Sequence, residues 1–181
     1  MQFTPDTEMC LGFMAALADT VPEASASGTD ELDDPVSFTK LFDDWRYSGR
    51  RDGDAREVAE VKAARTRLTE LWHLDERGVV EAVNQILADS AAVPHLVRHD
   101  GLDWHIHATS SDAPLAQRVL VEAAMALVDV VRADELGRLR DCEADDCAGI
   151  FVDLSRNASK RYCSARCGNR MNVRAFRERQ G

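Results

Sequence analysis

The sequence predicts a mostly α-helical (α+β) protein, with a helical N-terminal body that contains one β-hairpin and a small cysteine-rich C-terminal module. Three observations lead to this fold class. Apolar residues recur at helical spacing in five segments before residue 137. Two short runs flank Asp100–Gly101, a dipeptide typical of tight hairpin turns. Four of the five cysteines lie within a short stretch near the C-terminus.

The length and composition are those of one globular domain with an appendage, or of two small domains. The chain has 181 residues and a formal net charge of −10. We expect a helical domain over residues 1–137 and a separate module over residues 138–181. No stretch approaches the roughly 18 apolar residues of a membrane span, and the first residues lack the basic start of a secretory signal. The sequence therefore predicts a cytoplasmic protein with no membrane partner.

Five helices are predicted from apolar periodicity. The predicted segments are 4–20, 34–50, 52–74, 76–91 and 112–136. Pro35 suits the first turn of the second helix, and Asp52 or Asp54 is expected to open the third. Gly49 and Gly137 are expected to end the second and fifth helices, and Asp112 is expected to cap the fifth.

A hairpin is predicted around Asp100–Gly101. In its second strand, Trp104 and Ile106 alternate with His105 and His107, which is the pattern of a half-buried strand. We therefore expect the apolar side chains to face the body and the histidines to form a polar outer face.

The histidines are not expected to form a second metal site. With Asp100–Gly101 as the turn, His99 would pair with Leu102 and His95 with Ile106, so the imidazole rings would not converge. His73 is expected to be a half-buried ring with a hydrogen-bond partner.

The cysteines of the C-terminal module have the spacing of a structural zinc site. Cys142, Cys147, Cys163 and Cys167 form the pattern C-x4-C-x15-C-x3-C, in which two short-spaced pairs are separated by a loop. Four thiolates would close the coordination sphere of one Zn²⁺ and leave no position for a substrate. Two disulfides, unpartnered thiols and an iron–sulfur cluster are the alternatives. Cys10 is distant in sequence and is expected to be a core residue.

The expected layout of this module is a treble-clef-like finger. Ile150–Val152 is predicted to be a strand, and Lys160–Cys163 is predicted to return beside it as a hairpin. Ser164 is expected to cap a helix that runs to about Arg179.

Basic residues cluster in this module. Residues 155–181 carry a formal charge of +7, which leaves −17 on the rest of the chain. Four arginines of the last helix fall within an arc of about 80° around the helix axis. Val173 and Phe176 fall to one side of this arc and are expected to pack on the hairpin. Such a stripe suits phosphates and guanine edges. The predicted nucleic-acid contacts are Lys160, Arg161, Arg166, Asn169, Arg170, Asn172, Arg174 and Arg177. Alternatively, these cations offset the thiolate charge or dock on the acidic body.

The segment CEADDCAGIFVDLSRNASKRYCSARCGNRMNVRAFRER resembles the CGNR zinc-finger family, whose tetrapeptide corresponds to Cys167–Arg170 and whose F-x-D-x-S-R-N loop corresponds to FVDLSRN. LGFMAALADTV, FTKLFDDWRYSG and EVKAARTRLTELW are similar to the ABATE domain that precedes the finger in that family. The resemblance implies a stress-induced bacterial transcription regulator. It also implies that the four cysteines hold zinc and that the finger binds DNA.

The sequence therefore predicts a regulator that binds double-stranded DNA. The body is expected to bind an unknown small molecule or to form a homodimer, because one finger covers only a few base pairs. The alternative is a protein–protein adaptor whose basic finger docks on an acidic partner. No catalytic residues are predicted, since the sequence holds no G-x-S-x-G, H-E-x-x-H or phosphate-binding glycine loop.

Overall fold

The structure is a computed structural model that describes residues 3–99 and 103–180. This part of the chain forms α1 Pro5–Ala18, α2 Pro35–Asp44, α3 Ala55–Trp72, α4 Glu76–Asp89, β1 His95–Val97, β2 His105–His107, α5 Leu115–Arg132, β3 Leu139–Asp141, β4 Ile150–Val152 and α6 Ala165–Glu178. The mostly α-helical fold class is confirmed. Within these ranges, no helix combines the length and apolarity that a bilayer crossing requires.

Aspartate side chains begin three of the helices, because a carboxylate oxygen satisfies a backbone N–H that has no partner within the helix. The three pairs are Asp34 with the N–H of Ser37, Asp54 with that of Glu57, and Asp75 with that of Gly78. Asp54 is one of the two residues predicted to open α3. The predicted cap of α5 at Asp112 is wrong: Pro114 occupies the N-cap position and provides no side-chain cap.

Two helix ends differ from the sequence prediction. Helix α2 ends at Asp44 and α5 at Arg132, in each case five residues before the predicted glycine, Gly49 or Gly137. In both places a non-glycine residue just after the helix adopts a positive φ, which turns the chain away from the helix axis. These residues are Arg46 (φ 53°) and Asp134 (φ 56°).

The hydrophobic core lies around α5, which packs against α1, α3 and α4. Fully buried residues of α5 include Leu115, Val121 and Leu127. Strand β4 packs on α1, and its Ile150 and Val152 belong to this same buried cluster. The C-terminal module is therefore attached to the body through a common core.

Polar contacts reinforce this attachment. The Asp19 carboxylate at the end of α1 accepts a hydrogen bond from the Ile150 N–H at 2.8 Å, and burial raises the pKa of Asp19 to about 6. His73 at the end of α3 lies with its Nε2 2.8 Å from a carboxylate oxygen of Asp141. His73 is thus partnered, and its side chain is 49% exposed, so it is half-buried as predicted.

The β1–β2 hairpin has a different register from the predicted one. His95 pairs with His107, and Leu96 pairs with Ile106. The predicted Asp100–Gly101 turn lies outside the described residues. A shift of one residue moves every side chain of a strand to the opposite face, so Ile106 is 45% exposed whereas His105 is buried. The predicted apolar-inward, histidine-outward arrangement is therefore reversed.

The predicted hairpin of the finger is also wrong. Strand β4 pairs with β3, which precedes the first cysteine of the cluster, in an antiparallel register. Residues 159–162 are not a strand, although the carbonyl of Arg161 accepts a hydrogen bond from Glu143 N–H at 2.9 Å. The first cysteine pair thus lies on the β3–β4 connection, and the second lies at the start of α6.

Candidate zinc centre and nucleic-acid interface

The four clustered cysteines converge on one point. Their sulfur atoms all lie within 4.8 Å of one another, and none of the five cysteines forms a disulfide. The Cys163 Sγ is 3.8 Å from the Cys147 Sγ and 3.7 Å from the Cys167 Sγ. Four sulfurs placed tetrahedrally about 2.3 Å from one zinc ion would be about 3.8 Å apart. The donor set and the sulfur spacing therefore fit one structural Zn²⁺.

Local backbone geometry positions these sulfurs. The Cys163 N–H points to the Cys142 Sγ at 3.5 Å, and the Gly149 N–H points to the Cys147 Sγ at 3.4 Å. Ser164 caps α6, as predicted, by accepting a hydrogen bond from the Cys167 N–H at 3.3 Å. Backbone donors that point at sulfur stabilise the thiolate form that binds metal.

The four thiols do not ionise alike. Burial raises the pKa of Cys147 and Cys163. Burial also opposes ionisation of Cys167, but hydrogen bonds from Ser164 and the neighbouring cysteines outweigh it and lower the pKa of Cys167 to about 7. A cation that binds this cluster would displace the remaining protons, because zinc binds cysteine as thiolate.

Asp153 organises the loop between β4 and the second cysteine pair. Its carboxylate accepts hydrogen bonds from the Ser155 N–H at 2.9 Å and from the Lys160 N–H at 2.8 Å. Burial alone would raise the pKa of this carboxyl, but these hydrogen bonds prevail and lower it. The buried Arg138 guanidinium donates to the Asp153 and Ser155 carbonyls. The aspartate and serine of the FVDLSRN motif thus have a structural role in the loop.

Several of the predicted nucleic-acid contacts have partners within the chain. Arg166 donates to the carbonyls of Ala24 and Ser25 at 3.3 and 3.2 Å, so it links the finger to the body. Lys160 lies over the Phe151 ring, 4.7 Å from its centroid.

An acidic loop between Cys142 and Cys147 pairs with three more of these arginines. The pairs are Arg161 with Glu143 at 2.6 Å, Arg170 with Asp146 at 2.7 Å, and Arg174 with Asp145 at 2.7 Å. The Arg170 guanidinium also lies 3.5 Å from the Cys167 Sγ, where it offsets thiolate charge. The three carboxylates of this loop are visible in CEADDC, but the ligand spacing alone did not predict that they would pair with arginines of α6.

The rest of the outer face of α6 is exposed. Asn169, Asn172 and Arg177 all lie on the protein surface. Val173 and Phe176 are 50% and 57% exposed, so the prediction that they pack on the finger hairpin is wrong. Met171 packs beside the cysteine cluster instead. Helix α6 thus presents a mixed basic, amide and apolar surface.

A second cluster forms at the β1–β2 hairpin, where no metal site was predicted. Ring nitrogens of His99, His105 and His107 lie within 4.8 Å of one another. The expectation that the histidines do not converge is therefore wrong, because the observed register directs these rings to one face. Burial, together with the neighbouring histidines, lowers the pKa of His107 to about 4. The H-x-H spacing already placed two rings on one side of a strand, and this signal was discounted.

This histidine cluster lines a cavity of about 110 Å³ between the hairpin, α1 and α5. Cys10, Tyr47 and Glu122 also line it. Cys10 packs against the core, as predicted, and burial raises its pKa. Burial also raises the pKa of Glu122 and Tyr47, and the carboxyl and hydroxyl influence each other electrostatically. A hydrogen-bonding contact between the two groups contributes to both shifts: it raises the pKa of Tyr47 and works against the increase at Glu122.

The fold and the cysteine cluster define a protein with a helical body and a structural zinc finger. Residues 8–134 match the ABATE family, described as "Putative stress-induced transcription regulator", and residues 138–180 match the CGNR zinc finger. The chain belongs to the ABATE family and carries a CGNR zinc finger at its C-terminus. Neither family is an enzyme family. A comparison with curated proteins gave no match.

Proposed function

We propose that the protein binds double-stranded DNA through its zinc finger and acts as a transcription regulator in the cytoplasm. The observation that carries the proposal is the attachment of α6 to the zinc centre. Cys167 lies in the first turn of α6, and the exposed residues Asn169, Asn172, Arg174 and Arg177 follow on the same helix. A metal-anchored helix with cationic and amide side chains suits the major groove, where arginine reads guanine and asparagine reads adenine.

The dimensions of α6 support this role. Its 14 residues extend about 21 Å, and a B-DNA major groove about 12 Å wide admits an α-helix. We propose that the functional units are the body, residues 1–137, and the finger, residues 138–181.

The internal ion pairs of the finger do not oppose DNA binding strongly. The arginines of the Arg170–Asp146 and Arg174–Asp145 pairs are 36% and 55% exposed, and exposed pairs contribute only about 0–1 kcal/mol each. A phosphate can therefore replace the carboxylate as partner of the guanidinium. We assign Arg166 to the attachment of the finger instead, because it bonds to body carbonyls.

We further propose a homodimer, since one finger covers only a few base pairs and a dimer would read two half-sites. The outer face of the β1–β2 hairpin supports this proposal. Leu96 is 64% exposed and Trp104 is 65% exposed, and Ile106 lies opposite Leu96. Sedimentation velocity at micromolar concentration tests it: a dimer is expected, and monomer alone would count against it.

The body cavity supports the proposal of a small-molecule ligand in the N-terminal domain. A pocket with apolar walls and a few polar groups is the usual form of a ligand site, and Cys10, Tyr47 and Glu122 provide such groups here. A ligand bound in the body would stabilise the chain against heat.

The test of DNA binding is recovery of genomic fragments on the zinc-loaded protein, followed by sequencing. A Cys163→Ala/Cys167→Ala variant is the control, since it lacks two of the sulfur ligands but keeps every arginine. We expect enrichment of a shared sequence by the wild-type protein alone. If the wild-type protein retains no fragments at low salt, the proposal fails.

An adaptor function is the second candidate, and one observation favours it. Val173 and Phe176 are exposed beside the arginines of α6, and an exposed apolar and cationic helix face also suits a protein partner. Phe176→Ser distinguishes the two functions. An adaptor would lose capture of its acidic partner, whereas DNA retention, which depends on the arginines, would persist.

A further inference from the structure

The nitrogen atoms of the histidine cluster are spaced like the ligands of a metal site. The Nε2 of His107 lies 3.1 Å from that of His105 and 3.3 Å from that of His99. Two nitrogens that each lie about 2.0–2.1 Å from one ion are about 2.9–3.4 Å apart when the nitrogen–metal–nitrogen angle is between the octahedral and the tetrahedral value. Both measured distances fall inside this interval.

Hydrogen bonding cannot account for these contacts fully. A neutral imidazole Nε2 carries either one proton or one lone pair, so it makes one directed hydrogen bond. The Nε2 of His107 nevertheless approaches two other ring nitrogens. A cation at the centre would engage all three lone pairs at once.

A neighbouring carbonyl sets the required tautomer of one ring. The Nδ1 of His105 lies 2.8 Å from the Asp103 carbonyl oxygen, which can only accept a hydrogen bond. Nδ1 therefore holds the proton, and the Nε2 of neutral His105 directs a lone pair toward the other rings. Metal-binding histidines commonly have this arrangement, in which the second ring nitrogen donates to a carbonyl.

The cluster opens onto a built cavity rather than bulk solvent. Tyr47 lines it with a buried side chain, and its hydroxyl lies beside the Glu122 carboxyl and interacts with it. The Glu122 carboxyl lines the same space; burial raises its pKa, and electrostatic interaction with His105 and His99 works against that increase. These groups can bind a water or small anion attached to a metal, as they would in a site with three histidines and one open position.

We propose that His99, His105 and His107 bind a second divalent transition-metal ion, with an open coordination position that faces the cavity of Tyr47 and Glu122. Three imidazoles without thiolates favour ions such as Zn²⁺, Ni²⁺ or Cu²⁺ over Mg²⁺ or Ca²⁺. The site is separate from the four-cysteine cluster and does not depend on DNA binding.

The first test counts zinc on the full-length protein after loading with Zn²⁺ and desalting. The wild-type protein should hold two ions per chain, and His107→Ala should hold one. His95→Ala is the matched control, because His95 faces His107 across the same hairpin but lies outside the cluster. It should hold two. One ion on the wild-type protein, or two on His107→Ala, would overturn the proposal.

Cobalt substitution provides a second readout that does not rely on the variants folding. Co²⁺ bound by four thiolates gives intense sulfur-to-metal charge-transfer bands, whereas Co²⁺ bound by imidazoles gives d–d bands alone. We expect the two kinds of spectrum to appear with two equivalents of Co²⁺ on the wild-type protein. Saturation at one equivalent, with the thiolate spectrum alone, would contradict a histidine site. An unchanged melting temperature of metal-free His107→Ala would show that the loss of one ion is not due to unfolding.

Discussion

Asp145 and Asp146 occupy the loop between the first two zinc ligands, and each pairs with an arginine of α6. A carboxylate placed against a guanidinium takes the position that a DNA phosphate would occupy. In the proposed DNA-binding role, these two carboxylates would compete with DNA for Arg170 and Arg174 and would lower the affinity.

Replacing both carboxylates, as Asp145→Asn/Asp146→Asn, should increase DNA affinity. Exposed ion pairs contribute about 0.2–1 kcal/mol each, so two of them correspond to a gain of about two- to thirtyfold at low salt. Fluorescence anisotropy with a DNA fragment recovered from the genome measures the affinity of the double variant and of the wild-type protein. Asp89→Asn, an acidic change on α4, is the control. Unchanged or weaker binding by the double variant would contradict the competition.

Asp30 and Arg65 form a partly buried ion pair in the body. Both guanidinium nitrogens of Arg65 donate to Asp30 at 2.8 Å, and these hydrogen bonds hold the pKa of Asp30 well below its usual range. A depressed carboxyl pKa stabilises the folded state above the unfolded-state pKa of about 3.9, and this stabilisation is lost as pH falls through the folded-state pKa.

Asp30→Asn should therefore reduce the free energy of unfolding by about 2–4 kcal/mol at pH 7, because it leaves a buried guanidinium without its counter-ion. The difference from wild type should shrink as the pH is lowered below about 4. Urea titrations between pH 7 and 3 measure both effects. Asp33→Asn, at an exposed ion pair with Lys62, should change stability by less than about 1 kcal/mol. A constant difference across the pH range would refute the linkage.

At the scale of elements, the finger depends on a close approach of backbone to sulfur at Gly149. A Cβ at this position would lie 3.1 Å from the Cys163 Sγ and 3.2 Å from the Cys147 Sγ. Both distances are shorter than ordinary van der Waals contacts, so a Cβ here would push the sulfurs apart by a few tenths of an ångström and disturb their arrangement about one ion.

Gly149→Ala should weaken zinc binding by about tenfold or more, which is the usual effect of disturbing groups that orient metal ligands. Competition with a chromogenic chelator measures the change. Gly137→Ala is the control, since no atom lies within 4 Å of a Cβ built there. Equal zinc affinity of the two variants would show that the sulfurs are less constrained than the structure indicates.

The elements also show what the sequence could predict. The cysteine spacing, the Ser164 cap and the existence of the five helices in the body are local signals, and they agree with the structure. The ends of α2 and α5 and the cap of α5 do not agree, because they depend on how the chain turns after or before the helix. The hairpin register is not local in the same sense, because a slip of one residue reverses both faces at little cost in backbone hydrogen bonds. The observed register buries His105 and exposes Ile106, which is the opposite of what polarity alone predicts. The β3 partner of β4 was missed because the pairing spans the first cysteine pair.

At the scale of the whole molecule, the zinc finger and the helical body share one core. Ile150 and Val152 of the finger are buried with residues of α1, although the comparisons match body and finger to separate families. Burial of a branched apolar side chain contributes about 1.5–3 kcal/mol. Loss of zinc should therefore reduce the stability of the body as well as that of the finger.

Removal of zinc with a chelator should lower the melting temperature of the body by about 6–12 °C, because about 3 kcal/mol of shared packing is lost. Differential scanning calorimetry with and without chelator measures it, and added Zn²⁺ should restore the original value. If the body melts at an unchanged temperature after chelation, the shared core contributes little to its stability.

The central claim is that zinc fixes α6 as a basic surface that binds DNA. The most direct measurement is the salt dependence of DNA affinity for zinc-loaded wild-type protein and for Arg174→Ala/Arg177→Ala, with Arg77→Ala on α4 as control. Each lost phosphate contact should reduce the slope of log affinity against log salt by about 0.9. The account predicts weaker binding and a slope smaller by about 2 for the double variant, and no change for the control. Equal affinities and slopes for all three proteins would contradict it.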